Sequence, residues 1–136
     1  MSFKIELDHI GIATKSIADS PFFKTLGLKD LGSEDVTTEK VKVGFFDTDN
    51  QARIELLEPT SDDSPIAQFL GKRGPGIHHI CFRVEALDKM VTHLKENNIQ
   101  LINEEPRPGA HNCRVVFIHP RSTGGVLVEL SEKVEG

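Results

Sequence analysis

The sequence predicts an α+β fold of two similar modules, each running from a strand through a helix to further strands. The first observation is an echo between "LDHIGIAT" at 7–14 and "IHHICFRV" at 77–84, which aligns His9 with His79. The second is that "RIELLE" at 53–58 echoes "LVELSE" at 127–132 and aligns Glu55 with Glu129. Because the matched segments recur in the same order, they indicate an internal repeat.

In the first half, the segment 7–14 alternates as a strand does. A helix is expected over 16–26, ended by Gly27 and beginning late because Pro21 lies inside it. Apolar, strand-forming residues then predict strands at 41–47 and 52–58.

The second half repeats this order, with a strand at 77–84 and a helix over 86–97. Leu87, Met90, Val91 and Leu94 follow the i, i+3, i+4, i+7 spacing of a buried helix face. Strands are expected at 114–119 and 125–131.

The segment "GKRGPG" at 71–76 is typical of a linker. We therefore expect one domain over 1–136, with module one at about 5–70 and module two at about 76–132.

Composition narrows the class of protein. The chain has 136 residues and a net charge of −5, which argues against nucleic acid as the main partner because phosphates need a basic surface. Apolar runs are too short for a membrane span, and the N-terminus lacks the pattern of a secretory signal, so a cytoplasmic location is expected. Two cysteines without CxxC spacing predict no disulfide framework.

Four side chains stand out when the strands are read by face. His9, Glu55, His79 and Glu129 each lie opposite the apolar residues of a strand, because successive side chains alternate. If the apolar faces pack against the helices, a curved sheet would gather these four on its other face. Two imidazoles and two carboxylates suit a divalent ion such as Zn²⁺, Co²⁺, Mn²⁺ or Ni²⁺. An octahedral ion would keep two positions open, as catalytic sites do.

The same residues carry a resemblance. A repeated strand–helix–three-strand module with metal ligands on its first and last strands resembles the vicinal-oxygen-chelate (glyoxalase/bleomycin resistance) superfamily. The strings "GIHHICF", "IHPRSTGGVLVEL" and "IELLEP" are similar to those of the methylmalonyl-CoA epimerase family. The resemblance implies two tandem βαβββ modules in a curved, partly open mixed sheet around a metal held by His9, Glu55, His79 and Glu129. It also implies a homodimer.

The resemblance further implies metal-dependent inversion at C2 of a small acyl-CoA through an enolate. Inversion needs a base on each side of the carbon, and a pseudo-twofold site supplies Glu129 and Glu55, so our hypothesis is that one or both transfer protons. Two departures matter. Glu55 stands where some members have Gln, and an acidic residue used as a base in some members has no clear counterpart, although Glu39 lies near in sequence.

Some assignments stay open at this stage. Lys72, Arg73, Arg107 and Arg121 are candidates for the CoA phosphates, and the loop "PRPGAHN" at 106–112 is a candidate cover for the site. His78 is expected to pack among apolar residues, and His119 to brace a turn. The alternative functions are a glyoxalase I-like lyase and a non-catalytic ligand-binding protein of the bleomycin-resistance kind.

Overall fold

A computed structural model describes residues 3–134 of the chain. It confirms the α+β class: two βαβββ runs follow one another, with one additional helix between them. The elements of the first run are β1 (Ile5–Ala13), α1 (Phe22–Leu26), β2 (Lys29–Val36), β3 (Val41–Asp47) and β4 (Arg53–Pro59). The intervening helix and the second run are α2 (Pro65–Arg73), β5 (Gly76–Val84), α3 (Leu87–Glu96), β6 (Arg107–Pro108), β7 (Cys113–Ile118) and β8 (Val128–Lys133).

The first helix begins late, as Pro21 predicts. Pro21 occupies the position before α1, which ends at Gly27 with a left-handed φ of 113°. Only Gly adopts that conformation without a steric cost, so the helix stops there.

Three of these elements were not predicted from local patterns. Strands β2 and β6 were missed, and helix α2 extends through Arg73 into the segment assigned to a linker. Ser64 caps α2 by accepting a hydrogen bond from the Ile66 amide, and Pro65 fills its first turn.

The described part of the chain divides into two compact units, which we call the central unit (His9–His78) and the terminal unit (residues 3–8 together with residues 79–134). In the central unit the strand order is β2-β3-β4-β1. Strands β1 and β4 are parallel with Gly11 opposite Glu55, and β3 and β4 are antiparallel with Phe45 opposite Glu55.

The terminal unit repeats this register. Strands β5 and β8 are parallel with Cys81 opposite Glu129, and β7 and β8 are antiparallel with Phe117 opposite Glu129. The short strand β6 pairs with the outer edge of β7. The two glutamates therefore occupy equivalent positions in equivalent strands, as the sequence repeat predicts.

Helix α3 covers one face of the terminal unit's strands. Its buried face packs against apolar residues that alternate with Glu129 on β8 and with Phe117 on β7. Each fully buried aliphatic side chain of this kind contributes about 1.5–3 kcal/mol. The buried members of the cluster are Val84, Leu87, Met90, Val91, Val116, Ile118 and Leu130, of which Val84, Leu87 and Val116 are fully buried. Helix packing thus takes one face of the sheet and leaves the other to the polar side chains.

Candidate metal and active site

In the terminal unit, His79 and Glu129 form a buried pair. His79 Nε2 lies 3.0 Å from Glu129 Oε1, and the two residues are 6% and 9% exposed. The strand register explains the contact. Cys81 is opposite Glu129, and His79 precedes Cys81 by two residues, so it emerges from the same face of the sheet.

The central unit contains the equivalent pair. His9 Nδ1 lies 3.1 Å from Glu55 Oε2, and both residues are buried. Gly11 is opposite Glu55, and His9 precedes Gly11 by two residues on the same face. Each unit therefore brings together one predicted imidazole and one predicted carboxylate.

These pairs fit the donor set of a divalent ion. Two ligands at right angles on one ion, with bonds of about 2.1 Å, have donor atoms about 3 Å apart. The separations of 3.0 and 3.1 Å match that spacing within each unit. The four residues are thus candidate metal ligands.

Arg53 is a site residue that the sequence reasoning missed. Its Nε and Nη2 atoms donate to Glu55 Oε2 at 3.2 and 2.9 Å. The signal was available, because Arg53 and Glu55 are separated by two positions on one strand and must share a face. An opposite charge at that spacing beside a predicted ligand indicates a salt bridge.

An aromatic side chain lies beside the terminal pair. The Phe117 ring meets the His79 ring edge-on, with centroids 6.2 Å apart and an angle of 79°. Arg107 lies over the same Phe117 ring, 5.5 Å from its centroid, in a cation–π contact. Of the four cations suggested for the CoA phosphates, Arg107 is thus connected to the His79–Glu129 pair through Phe117.

His78, Arg73 and His119 take structural positions. His78 packs edge-on against Phe69 of α2, with ring centroids 5.0 Å apart, and Arg73 lies over that same Phe69 ring. His79 and His78 therefore separate to opposite faces, as strand alternation predicts. His119 Nδ1 accepts a hydrogen bond from the Arg121 amide at 3.0 Å, which confirms that it braces a turn.

Comparison with known proteins identifies the family of this chain. The family model described as "Glyoxalase/Bleomycin resistance protein/Dioxygenase superfamily" matches residues 8–117. The "Uncharacterized protein YqjC" of Bacillus subtilis is 46% identical over 93% of this chain and 91% of its own length. The mitochondrial methylmalonyl-CoA epimerase of Dictyostelium discoideum is 40% identical over 94% of this chain and 78% of its own.

Solved structures give the same result. The methylmalonyl-CoA epimerase from Mycobacterium tuberculosis has a TM-score of 0.88 at 36% identity, covering 95% of this chain and 88% of its own. A methylmalonyl-CoA epimerase in complex with methylmalonyl-CoA and NH4+ has a TM-score of 0.88 at 31% identity, covering 98% and 96%.

Within residues 3–134, the structure contains no helix with the length and apolar character that a membrane span needs. The family comparisons confirm the resemblance seen in the sequence and the expectation of an epimerase. The chain belongs to the glyoxalase/bleomycin resistance protein/dioxygenase superfamily and, within it, to the methylmalonyl-CoA epimerase family.

Proposed function

We propose that the protein is a metal-dependent epimerase that interconverts the C2 epimers of methylmalonyl-CoA through an enolate. The observation that carries the proposal is the pair of buried His–Glu contacts in repeated register, in a chain 40% identical to a methylmalonyl-CoA epimerase. Neither the lyase nor the ligand-binding alternative has a comparable observation in its favour.

His9, Glu55, His79 and Glu129 are proposed to hold one divalent ion, with Co²⁺, Mn²⁺, Zn²⁺ and Ni²⁺ as candidates. When bound, such an ion supplies Lewis-acid stabilisation to the negative charge that develops on the substrate's oxygens. The protein residues supply the ligands, the orientation and the proton transfer.

Epimerisation needs a proton removed from one face of C2 and a proton returned to the other. A carboxylate takes the C2 proton, and the electron pair of the C–H bond moves into the enolate. The other carboxyl group, which carries a proton at that stage, then donates it to C2 from the opposite side and becomes a carboxylate. Glu129 and Glu55 are the proposed pair, because both are buried and occupy equivalent positions in the two modules.

The proposed substrate is a small acyl-CoA, as in the relative whose structure contains methylmalonyl-CoA. Arg107 is the preferred contact for an anionic part of that substrate, because its cation–π contact with Phe117 places it near the His79–Glu129 pair. The homodimer and the cytoplasmic location expected from the sequence are retained as parts of this proposal. Sedimentation equilibrium measures the first, and fractionation of the source cells measures the second.

The test starts from a single C2 epimer of methylmalonyl-CoA and the protein reconstituted with Co²⁺. We expect the circular dichroism of the thioester to decay as the epimers equilibrate, and a chelator to stop the decay. A glutathione hemithioacetal should remain unconverted. Conversion of the hemithioacetal, with no change in the epimer ratio of methylmalonyl-CoA, would overturn the proposal in favour of the lyase.

A further inference from the structure

Glu55 and Arg53 form a salt bridge. The Glu55 side chain is 4% exposed and the Arg53 side chain 17%. Two guanidinium nitrogens of Arg53, at 3.2 and 2.9 Å, converge on Glu55 Oε2. Convergence on one oxygen from a planar, always charged group restricts rotation of the carboxylate.

The same oxygen also meets the imidazole of the central pair. His9 Nδ1 lies 3.1 Å from Glu55 Oε2, and the parallel register of β1 and β4 places His9 opposite Arg53. Two side chains from adjacent strands, His9 and Arg53, therefore direct three nitrogen atoms at one carboxylate oxygen. Arg53 is close enough to this candidate ligand for its charge to act on whatever binds there.

The repeat is broken at this position. When "RIELLE" is aligned with "LVELSE", Arg53 corresponds to Leu127, so Glu129 has no arginine two residues before it. The Arg53 guanidinium therefore balances the charge of the ligand glutamate in one module and not in the other.

We infer that Arg53 is a positioning residue for the metal site: it cancels the additional negative charge of Glu55 and holds the Glu55 carboxylate in its ligating orientation. The inference rests on the proposed function, in which Glu55 is a metal ligand. Without Arg53, the site would carry one more buried negative charge and would repel the anionic carboxylate of the substrate. If Glu55 lost its charge and Arg53 remained, the Arg53 guanidinium would repel a divalent ion at the site.

The test is a cycle of four proteins: the original chain, Arg53→Gln, Glu55→Gln and the double variant. Each apoprotein is titrated with Co²⁺, and the d–d absorption of the ion reports both affinity and ligand geometry. In the Glu55→Gln background, Arg53→Gln should tighten Co²⁺ binding about ten-fold or more, because it removes a like charge near the ion. In the chain that retains Glu55, Arg53→Gln should instead change the d–d spectrum of Co²⁺, because the Glu55 carboxylate loses its orientation.

Steady-state kinetics of the same four proteins provide a second measurement. Arg53→Gln should raise KM for methylmalonyl-CoA about ten-fold, and the additional Glu55→Gln should lower KM again by restoring charge balance. Arg114→Gln is the matched control, because Arg114 pairs with Asp88 of α3 at 2.8 Å, on the face of β7 opposite Phe117. This substitution should alter neither Co²⁺ binding nor KM.

The outcomes separate this inference from the proposed function. Equal effects of Arg53→Gln in both backgrounds, or unchanged Co²⁺ spectra and affinities, would overturn the role of Arg53 alone. Failure of the original chain to bind Co²⁺ would overturn both proposals. If the chain binds Co²⁺ but does not turn over methylmalonyl-CoA, the spectroscopic cycle still decides the role of Arg53.

Discussion

At the scale of single residues, two adjacent histidines have different environments because a strand alternates its side chains. His79 contacts Glu129 at 3.0 Å and the Phe117 ring, whereas His78 packs against the Phe69 ring of α2. The two residues have the same chemistry and differ by one position in β5. Their surroundings therefore decide which imidazole is a candidate ligand.

This difference predicts unequal effects of the same substitution. His79→Asn should weaken Co²⁺ binding about 100-fold or more, because it removes a ligand from a buried donor set. His78→Asn should leave the Co²⁺ affinity within about three-fold of the original. Isothermal titration of each apoprotein with Co²⁺ measures both values. Equal losses in the two variants would contradict the assignment of His79.

At the scale of elements, the loop between β6 and β7 depends on one close approach. A Cβ atom built on Gly109 would lie 2.8 Å from Val115 Cγ1, and Val115 is only 3% exposed. Val115 is β-branched and has little freedom to move aside. The close approach of the backbone at Gly109 to Val115 thus leaves no room for a side chain at this position.

Gly109→Ala should therefore destabilise the fold by about 1–3 kcal/mol through overpacking against Val115. Gly71→Ala is the matched control, because a Cβ on Gly71 meets nothing within 4 Å in helix α2. That change should stabilise by roughly 0.5–1 kcal/mol through helix propensity. Urea unfolding measures the free energy of unfolding of both variants. A Gly109→Ala protein as stable as the original would contradict the predicted overpacking against Val115.

The elements also show what the sequence could predict. The strands holding His9, Glu55, His79 and Glu129 were predicted because they combine apolar alternation with an internal echo. Strand β2 was missed because nearly all of Lys29–Val36 is exposed and charged residues interrupt its pattern. Helix α2 was missed because the glycines and Pro75 of "GKRGPG" are typical of a linker. Ser64 and Pro65 are nevertheless ordinary signals for the start of a helix.

Contacts between side chains were harder to predict from the sequence than the positions of the strands. Alternation places His79 and Glu129 on sheet faces, but only the register of β5 with β8 brings them to 3.0 Å. Register depends on loop lengths and packing, which local patterns do not specify. Arg53 is the exception, since its two-residue spacing from Glu55 is visible in one strand.

At the scale of the whole molecule, one chain carries two copies of the same strand register, each with a buried His–Glu pair. Inversion of a carbon requires two groups that act on opposite faces, and a repeated module supplies two equivalent carboxylates. The copies are not identical, because Arg53 binds Glu55 and its counterpart is Leu127. We expect this difference to give the two glutamates unequal roles.

The most direct measurement is ¹H NMR of methylmalonyl-CoA in D₂O with the Co²⁺-reconstituted protein, following the C2 proton. The account predicts rapid loss of that signal, no loss after addition of a chelator, and exchange slowed about 100-fold or more by Glu129→Gln. Glu55→Gln serves as the second variant, with metal content measured in every sample. An unchanged C2 signal with the metal bound would contradict the account, as would full exchange in both glutamine variants with the metal bound.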